Sequence, residues 1–300
     1  MTTQHTHGIN PGGINLGGIT IQRIVEQVGP FFDGKTFFPK LTDEMLAEHR
    51  SWLEPRYFEP GTGKVVLMMQ SYLVRTPHHT ILVDTCCGND KQRPSRPQWH
   101  MQKLDTFQSG LAAAGVRVED VDYVMCTHLH VDHVGWNTRL DNGRWVPTFP
   151  NAKYIMSDRE LDYWTKRHAT DPAACPWIGD SVLPIVDARK HEIIKSTHVL
   201  GDHVRLMPTP GHTIDHFSVH VGKLGHDALI TGDMVHSPIQ VRYPDMGMFS
   251  DYDSKQAGET RHRIFGQVCD TSTLMCTTHF NAPSTGRITR WDDGFRFVEV

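Results

Sequence analysis

The chain of 300 residues carries 30 Lys and Arg against 34 Asp and Glu, a net charge of −4, and 38% of its residues are hydrophobic. Its slightly acidic balance, without a block of Lys or Arg, argues against a nucleic-acid partner. The longest aliphatic run, residues 65–69, is far shorter than the roughly 20 apolar residues of a transmembrane helix, which argues against a membrane partner.

The N-terminal sequence MTTQHTHGINPGGINLGG has neither the basic nor the apolar segment of a secretory signal, so we expect a cytoplasmic protein. Residues 1–20 are rich in Gly, Thr and Asn without periodicity and are predicted to form a flexible arm. The remaining chain, 21–300, has the length and composition of a single domain.

The cysteines are predicted to be reduced core residues, because they form no Cys-x-x-Cys pair and a chain of this length does not need disulfides. They are Cys86, Cys87, Cys126, Cys175, Cys269 and Cys276.

Strand and helix signals alternate in the first half of the chain. Two β-rich runs, 64–76 and 79–88, are separated by the turn sequence PHH and predict a hairpin. Residues 104–116 have apolar side chains at helical spacing and end near Gly115, as helices often do. The apolar run 121–127 is typical of a buried strand.

The second half repeats this alternation. Residues 152–157 predict a strand, and 158–168 a helix with Asp158 as its N-cap. The runs VRLMPT, FSVHV, ALITGD and TLMCTTH predict four more strands, and residues 253–270 a long helix. Because strands and helices interleave without a linker, the pattern favours an α/β sandwich of two sheets flanked by helices.

A cluster of metal-ligand residue types follows the strand at 121–127. His128, His130, Asp132 and His133 offer imidazole and carboxylate groups, the ligands of divalent metals. Because side chains alternate along an extended segment, His128 and His130 can point the same way, whereas Asp132 and His133 fall on the next turn. Since one ion does not readily use all four, the spacing predicts two ions side by side.

Three later residues complete a ligand set, each near the end of a predicted strand. His212 lies on the turn PTPGHT, Asp233 ends the run LITGD, and His279 follows MCTT. Singly such residues are more often structural, but their joint occurrence in this order favours a metal site.

Five ordered pieces between Asp84 and His279 resemble the metallo-β-lactamase fold superfamily of metal-dependent hydrolases: LVDT, HLHVDH, PGHT, TGD and THF. The resemblance implies an α/β fold, the four-layer αββα sandwich. It also implies that Asp84 is not a ligand but accepts a hydrogen bond that orients the metal site.

The resemblance further implies a role for each ligand. Two triads would each hold one divalent metal ion, with zinc as the expected metal: His128, His130 and His212, and Asp132, His133 and His279. Asp233 would bridge the two ions.

A reaction follows from such a pair of ions, which can share a water, lower its pKa and leave a bridging hydroxide that attacks a carbonyl or phosphorus centre. Asp132 is expected to orient the hydroxide and pass its proton to the leaving group.

The predicted catalytic residues are Asp132, Asp233 and His236. His236 replaces the Tyr expected in lactonases of this superfamily and resembles the methyl-parathion-hydrolase group; it would contact the substrate or leaving group, or cap its loop.

The function predicted is therefore that of a dinuclear-metal hydrolase acting on a small ester, lactone or phosphotriester. A glyoxalase-II-like thioester hydrolase is an alternative, although the sequence reveals no basic patch for glutathione. A mononuclear iron oxidoreductase resembling the persulfide dioxygenases is another. We expect a small-molecule substrate as partner. The sequence leaves the oligomeric state open, with a homodimer as one alternative.

The remaining aromatic, Met and His residues have two interpretations each. An apolar pocket wall or ordinary core packing is expected of Trp136, Met246, Met248, Phe249 and Phe280. Surface or core positions without a role in the site are expected of His5, His7, His78, His79, His191 and His216.

Overall fold

The computed structural model describes residues 13–300 and has sixteen strands within that range. The strands are β1 Ile14–Asn15, β2 Thr20–Asp33, β3 Lys64–Arg75, β4 Thr80–Val83, β5 Tyr123–Met125, β6 Thr138–Asp141, β7 Arg144–Pro147, β8 Lys153–Ser157, β9 His191–Ile194, β10 Val199–Leu200, β11 Val204–Pro208, β12 Phe217–Lys223, β13 His226–Ile230, β14 Leu274–Cys276, β15 Thr285–Trp291 and β16 Gly294–Glu299.

Seven α-helices connect or flank these strands in the same range. They are α1 Gly34–Phe37, α2 Asp43–Leu53, α3 Thr106–Ala113, α4 Asp158–Thr170, α5 Leu183–Asp187, α6 Pro238–Arg242 and α7 Ser254–Val268. None of the described helices is long and apolar enough to span a bilayer.

The strands form two seven-stranded sheets and one small hairpin. The first sheet has the order β1-β2-β3-β4-β5-β8-β9, and the second has the order β10 to β16 in sequence. Strands β4, β5, β8 and β9 run parallel, as do β13 and β14, whereas the other pairs in these two sheets are antiparallel. The hairpin β6-β7 is separate.

Alternation along the strands builds two cores. In β4, Ile81 and Val83 belong to the cluster between the sheets, whereas Leu82 belongs to the larger cluster that includes α3 and α7. Cys276 and Met275 divide in the same way in β14. Because each central strand buries both faces, the molecule has the four layers of an αββα sandwich, as the sequence predicts.

Several local predictions are confirmed. The hairpin pairs β3 with β4, and Gly115, with φ of 70°, follows α3. One local prediction is wrong: Asp158 is the first residue of α4 and not its N-cap, which is Ser157. All six cysteines are free, and five of them are buried.

Part of the predicted N-terminal arm belongs to the sandwich. Residues 1–12 lie outside the described residues, whereas Ile14 and Asn15 pair with Ile21 and Thr20 in the first sheet. Leu16 and Ile19 are buried in the core between the sheets. From Ile14 onward the chain is therefore part of the sandwich.

Strand ends bring the predicted site residues to one edge. Asp84 follows β4, His128 follows β5, Asp233 follows β13 and His279 follows β14. His212 lies in the turn between β11 and β12. Parallel neighbours end at the same edge of a sheet, so β4 and β5 deliver their residues together, as do β13 and β14.

The loop after β4 is joined to the loop that carries the histidine cluster. Thr85 N donates to His133 O at 2.8 Å, and Gly135 N donates to Cys86 O at 2.8 Å. A Cβ on Gly135 would lie 1.9 Å from the carbonyl carbon of Cys87, so only glycine fits this close approach.

We predict that Gly135→Ala lowers the free energy of unfolding by at least about 2 kcal/mol, because the two loops must separate to admit a methyl group. Gly266→Ala is the control, since Gly266 lies in α7 with open space around its Cα. It should raise stability by about 0.5–1 kcal/mol. Urea unfolding of both variants measures the difference; equal stabilities would contradict the close contact.

Candidate metal centre

The seven predicted ligands converge on one cluster, in which five are buried and His130 and Asp132 are partly buried. Compact groups of potential ligand atoms comprise His128, His130, His212 and Asp233, and separately Asp132, His133 and His279. In each group the atoms lie within 4.8 Å of one another. The division matches the two triads that the resemblance implies.

Asp233 lies between the two groups, and its two carboxylate oxygens face different histidines. Oδ1 lies 3.0 Å from His133 Nε2 and 2.9 Å from His279 Nε2. Oδ2 lies 3.3 Å from His212 Nε2 and 3.7 Å from His128 Nε2. A carboxylate in this position can serve both groups at once, as the predicted bridging role requires.

Polar atoms without hydrogen bonds lie at the centre of the cluster. Among the described residues, His128 Nε2, His133 Nε2 and Asp233 Oδ1 are buried and form no hydrogen bond of normal geometry, although the last two lie 3.0 Å apart. Leaving such atoms unpaired costs about 1–3 kcal/mol each. The ring nitrogens and the carboxylate are divalent-metal ligand types, so the residues present fit the ions that the sequence implies.

The protonation preferences in the cluster conflict. Burial and the nearby His133 hold the pKa of His128 well below its usual value, and burial and His212 do the same for His130. Burial alone would lower the pKa of His133, yet the Asp233 and Asp84 carboxylates raise it well above its usual value. Because adjacent rings favour opposite states, protons satisfy the cluster poorly and divalent cations suit it better.

Asp84 orients His133, as predicted for a residue outside the ligand set. Its Oδ2 lies 2.9 Å from His133 Nδ1 and accepts from Thr127 Oγ1 at 2.8 Å. Its Oδ1 accepts from Thr127 N at 2.8 Å. With Nδ1 donating to this carboxylate, His133 directs the Nε2 lone pair toward the cluster.

Asp251 performs the corresponding role for His212, and the sequence did not reveal it. Its Oδ1 lies 3.0 Å from His212 Nδ1, and its Oδ2 accepts from Met248 N at 2.9 Å. His279 Nδ1 lies 2.9 Å from the carbonyl oxygen of Met68. Each partner fixes a ring so that Nε2 faces the cluster.

His216 is a second residue that sequence reasoning missed. It is fully buried, and its Nε2 accepts from Asp233 N at 2.9 Å while Nδ1 lies 2.8 Å from Thr209 Oγ1. Burial and the neighbouring His212 lower the pKa of His216 to about 3, so the ring is neutral. This bond fixes the backbone of the predicted bridging residue.

Gly232 makes that bond possible. It has a φ of 54°, and a Cβ there would lie 2.5 Å from His216 Nε2. The glycine of the TGD sequence is therefore needed both for its left-handed backbone and for the space it leaves.

His236 lies inside the cluster. Its Nε2 is 3.1 Å from Asp233 Oδ2, and its ring stacks on His279 with centroids 5.3 Å apart. Gln240 accepts its backbone N–H at 2.7 Å. His236, Asp233 and His279 also form a compact group of ligand atoms. The side chain thus borders both the metal ligands and the cavity.

A cavity of about 440 Å³ opens onto the cluster and contains His236 and Asp132 in its lining. Met248 and Phe249 line it, as expected of a pocket wall. Trp136, Met246 and Phe280 are instead buried core residues outside the lining.

Tryptophans that the sequence did not suggest form much of the wall. Trp99, Trp164 and Trp177 all line the cavity. They come from the Pro-rich loop before α3, from α4 and from the segment after α4, and only the folded chain brings these three regions together.

The family model of the metallo-beta-lactamase superfamily matches residues 66–267 of this chain. The match covers more than half of the chain and includes the cluster residues except His279. The chain therefore belongs to the metallo-beta-lactamase superfamily.

Two curated relatives are N-acyl homoserine lactonases. The protein of Bacillus sp is 26% identical over 160 residues, which cover 49% of this chain and 56% of the relative. The protein of Bacillus cereus is 23% identical over 205 residues, which cover 64% of this chain and 73% of the relative. The first alignment thus spans little more than half the length of that relative.

Solved structures share the fold over nearly the whole chain. The hydrolase AbOPH superposes with a TM-score of 0.77 at 23% identity, covering 95% of this chain and 96% of its own. AidC, a dizinc quorum-quenching lactonase in complex with a product, superposes with a TM-score of 0.77 at 20% identity, covering 96% of this chain and 97% of its own.

We predict that Asp251→Asn weakens metal binding by about 10–100-fold, because His212 loses the carboxylate that orients it. Asp253→Asn is the matched control in the same loop: Asp253 caps α7 by accepting from Gln256 N, and Asn caps helices equally well. Competition with a chromophoric chelator measures both affinities. Equal metal affinities in the two variants would show that Asp251 does not support metal binding through His212.

Proposed function

We propose that the chain is a metal-dependent hydrolase that holds two divalent metal ions, with zinc the expected metal. The ligands proposed are His128, His130 and His212 for one ion and Asp132, His133 and His279 for the other, with Asp233 shared. The observation that carries this proposal is the position of Asp233, whose two oxygens face separate histidine groups.

The proposed substrates are small esters, lactones or phosphotriesters. The curated relatives named as N-acyl homoserine lactonases and the fold shared with AbOPH and AidC support this range. A cavity of about 440 Å³ that reaches the cluster has room for a small molecule.

Two divalent ions, when bound, supply a water of lowered pKa and polarise the oxygen of a carbonyl or phosphoryl group. Asp132 lines the cavity, and we assign to its carboxylate the transfer of a proton from the attacking water to the leaving group. Asp233 would hold the two histidine groups in a fixed position relative to each other. His236 lines the same cavity, where its ring can donate to a substrate oxygen or to the leaving group.

The thioesterase alternative gains one supporting observation. It requires a basic patch near the site, and two arginines, Arg96 and Arg167, line the cavity. Comparing thioesters with oxygen esters in the same assay distinguishes these two hydrolase types.

The first test is metal stoichiometry. Since seven ligands exceed the needs of one tetrahedral site, we expect about two transition-metal ions per chain by elemental analysis of reconstituted protein. A reproducible single iron per chain with oxygen uptake would overturn the dinuclear hydrolase and favour the oxidoreductase.

The second test concerns His236. We predict that His236→Ala keeps both ions but changes kcat/KM for lactones relative to aryl esters or phosphotriesters, because a cavity group sets preference. Asp233→Ala, in comparison, should depress every hydrolysis together. Metal content is measured for both variants. Unchanged substrate ratios in His236→Ala would show that His236 has no role in substrate preference. Loss of an ion in this variant would show that His236 is a metal ligand.

A further inference from the structure

Two arginines in the cavity lining lack carboxylate partners. Arg96 is half-buried and Arg167 is exposed. Within residues 13–300, neither guanidinium lies within salt-bridge distance of an Asp or Glu, although the adjacent Lys166 pairs with Asp162 at 2.8 Å. Residues 1–12 contain no Asp or Glu that could serve instead. These positive charges at the cavity are therefore available to a ligand.

The arginines flank a pair of tryptophans next to the candidate metal centre. The Arg96 guanidinium lies 5.5 Å from the ring centroid of Trp177, and that of Arg167 lies 5.6 Å from Trp164. The two indole centroids are 5.5 Å apart, and Trp164 lies 5.3 Å from the ring of His130. Trp164 thus contacts both Arg167 and the predicted metal ligand His130.

Hydrogen bonds fix both indoles. Trp164 Nε1 donates to the buried Glu160 Oε2 at 2.9 Å, and Trp177 Nε1 donates to the carbonyl oxygen of Leu129 at 2.8 Å. A guanidinium resting on a fixed aromatic face loses little freedom when its N–H groups bind a ligand. The wall is therefore a pre-organised support for two positive charges.

The other charged groups of the cavity have partners or a proposed use. Asp132 and Asp233 are proposed metal ligands, and Asp251 accepts from His212. Once divalent ions neutralise these carboxylates, the two guanidinium groups leave the cavity positive, which favours anions.

A second groove, of about 380 Å³, runs along α4. It shares Tyr163, Arg167 and Ile214 with the cavity and adds Arg159 and the paired Asp162 and Lys166 to its lining. Arg167 lies at the junction, so a group held there can extend away from the centre along the groove.

We propose that Arg96 and Arg167 form an anion-binding subsite, so that the preferred substrate carries a carboxylate or similar anionic group away from the bond that is cleaved. This inference rests on the proposed function and narrows its substrate class. Guanidinium groups suit such a ligand because they donate two parallel hydrogen bonds to a planar anion.

The activity test compares 4-nitrophenyl hydrogen glutarate with its neutral methyl ester on metal-replete protein. We expect kcat/KM to be at least about tenfold higher for the charged ester, from charge-assisted hydrogen bonds. Arg96→Gln and Arg167→Gln should each reduce that preference, chiefly through the KM of the charged ester, and should change hydrolysis of the neutral ester less. Arg96→Lys should retain part of the preference because it keeps the charge.

A binding test does not depend on hydrolysis. Isothermal titration compares benzenesulfonate with its neutral analogue methyl phenyl sulfone, and the sulfonate should bind at least about tenfold more tightly. Each Gln variant should reduce that difference. The control is Arg144→Gln, since Arg144 is an exposed arginine outside the cavity lining, and it should bind both probes as the wild type does.

The two tests separate the inference from the proposed function. If both esters are hydrolysed at equal rates and the sulfonate binds no better than the sulfone, the subsite is wrong and the hydrolase stands. An anion preference that is undiminished in both Gln variants also overturns the subsite. If neither ester is hydrolysed while sulfonate binding depends on the arginines, the subsite stands and esters are excluded from the proposed function.

Discussion

The site depends on the position of one carboxylate. Asp233 is 3% exposed and lies among His133, His212 and His279, with an oxygen facing each side of the cluster. Burial alone would raise the pKa of Asp233, yet the histidines, led by His133 and His279, hold it well below its usual value. Divalent cations beside this buried anion would stabilise it, which agrees with the density of ligand-type side chains around it.

The sandwich supplies that position through its backbone. Gly232 turns the chain beneath His216, whose neutral ring accepts the Asp233 N–H, and Thr209 Oγ1 lies 2.8 Å from the opposite ring nitrogen. Asp84 performs a comparable task in the first sheet, where it holds both Thr127 and His133. Both sheets thus end in residues that orient ligands without belonging to the predicted ligand set, and the two halves meet at the cluster.

The sequence predicts which ligand-type residues lie together, because each follows an apolar strand in a short local motif and its chemistry and position can be read together. It does not predict Asp251, which reaches His212 only through the fold of a long loop. His216 has no local signal that distinguishes it from a structural histidine. Strand β2 was likewise missed: its Gly29 and Pro30 are typical of turns, and its pairing with β3 shifts register at Pro30/Phe32, next to the proline.

The central claim is that Asp233 is shared between two metal ions, and anomalous X-ray diffraction from crystals of metal-loaded protein tests it most directly. The account predicts two anomalous peaks in the cluster, each about 2.0–2.2 Å from a carboxylate oxygen of Asp233. A single peak, or two peaks of which one has no Asp233 oxygen among its ligands, would contradict it.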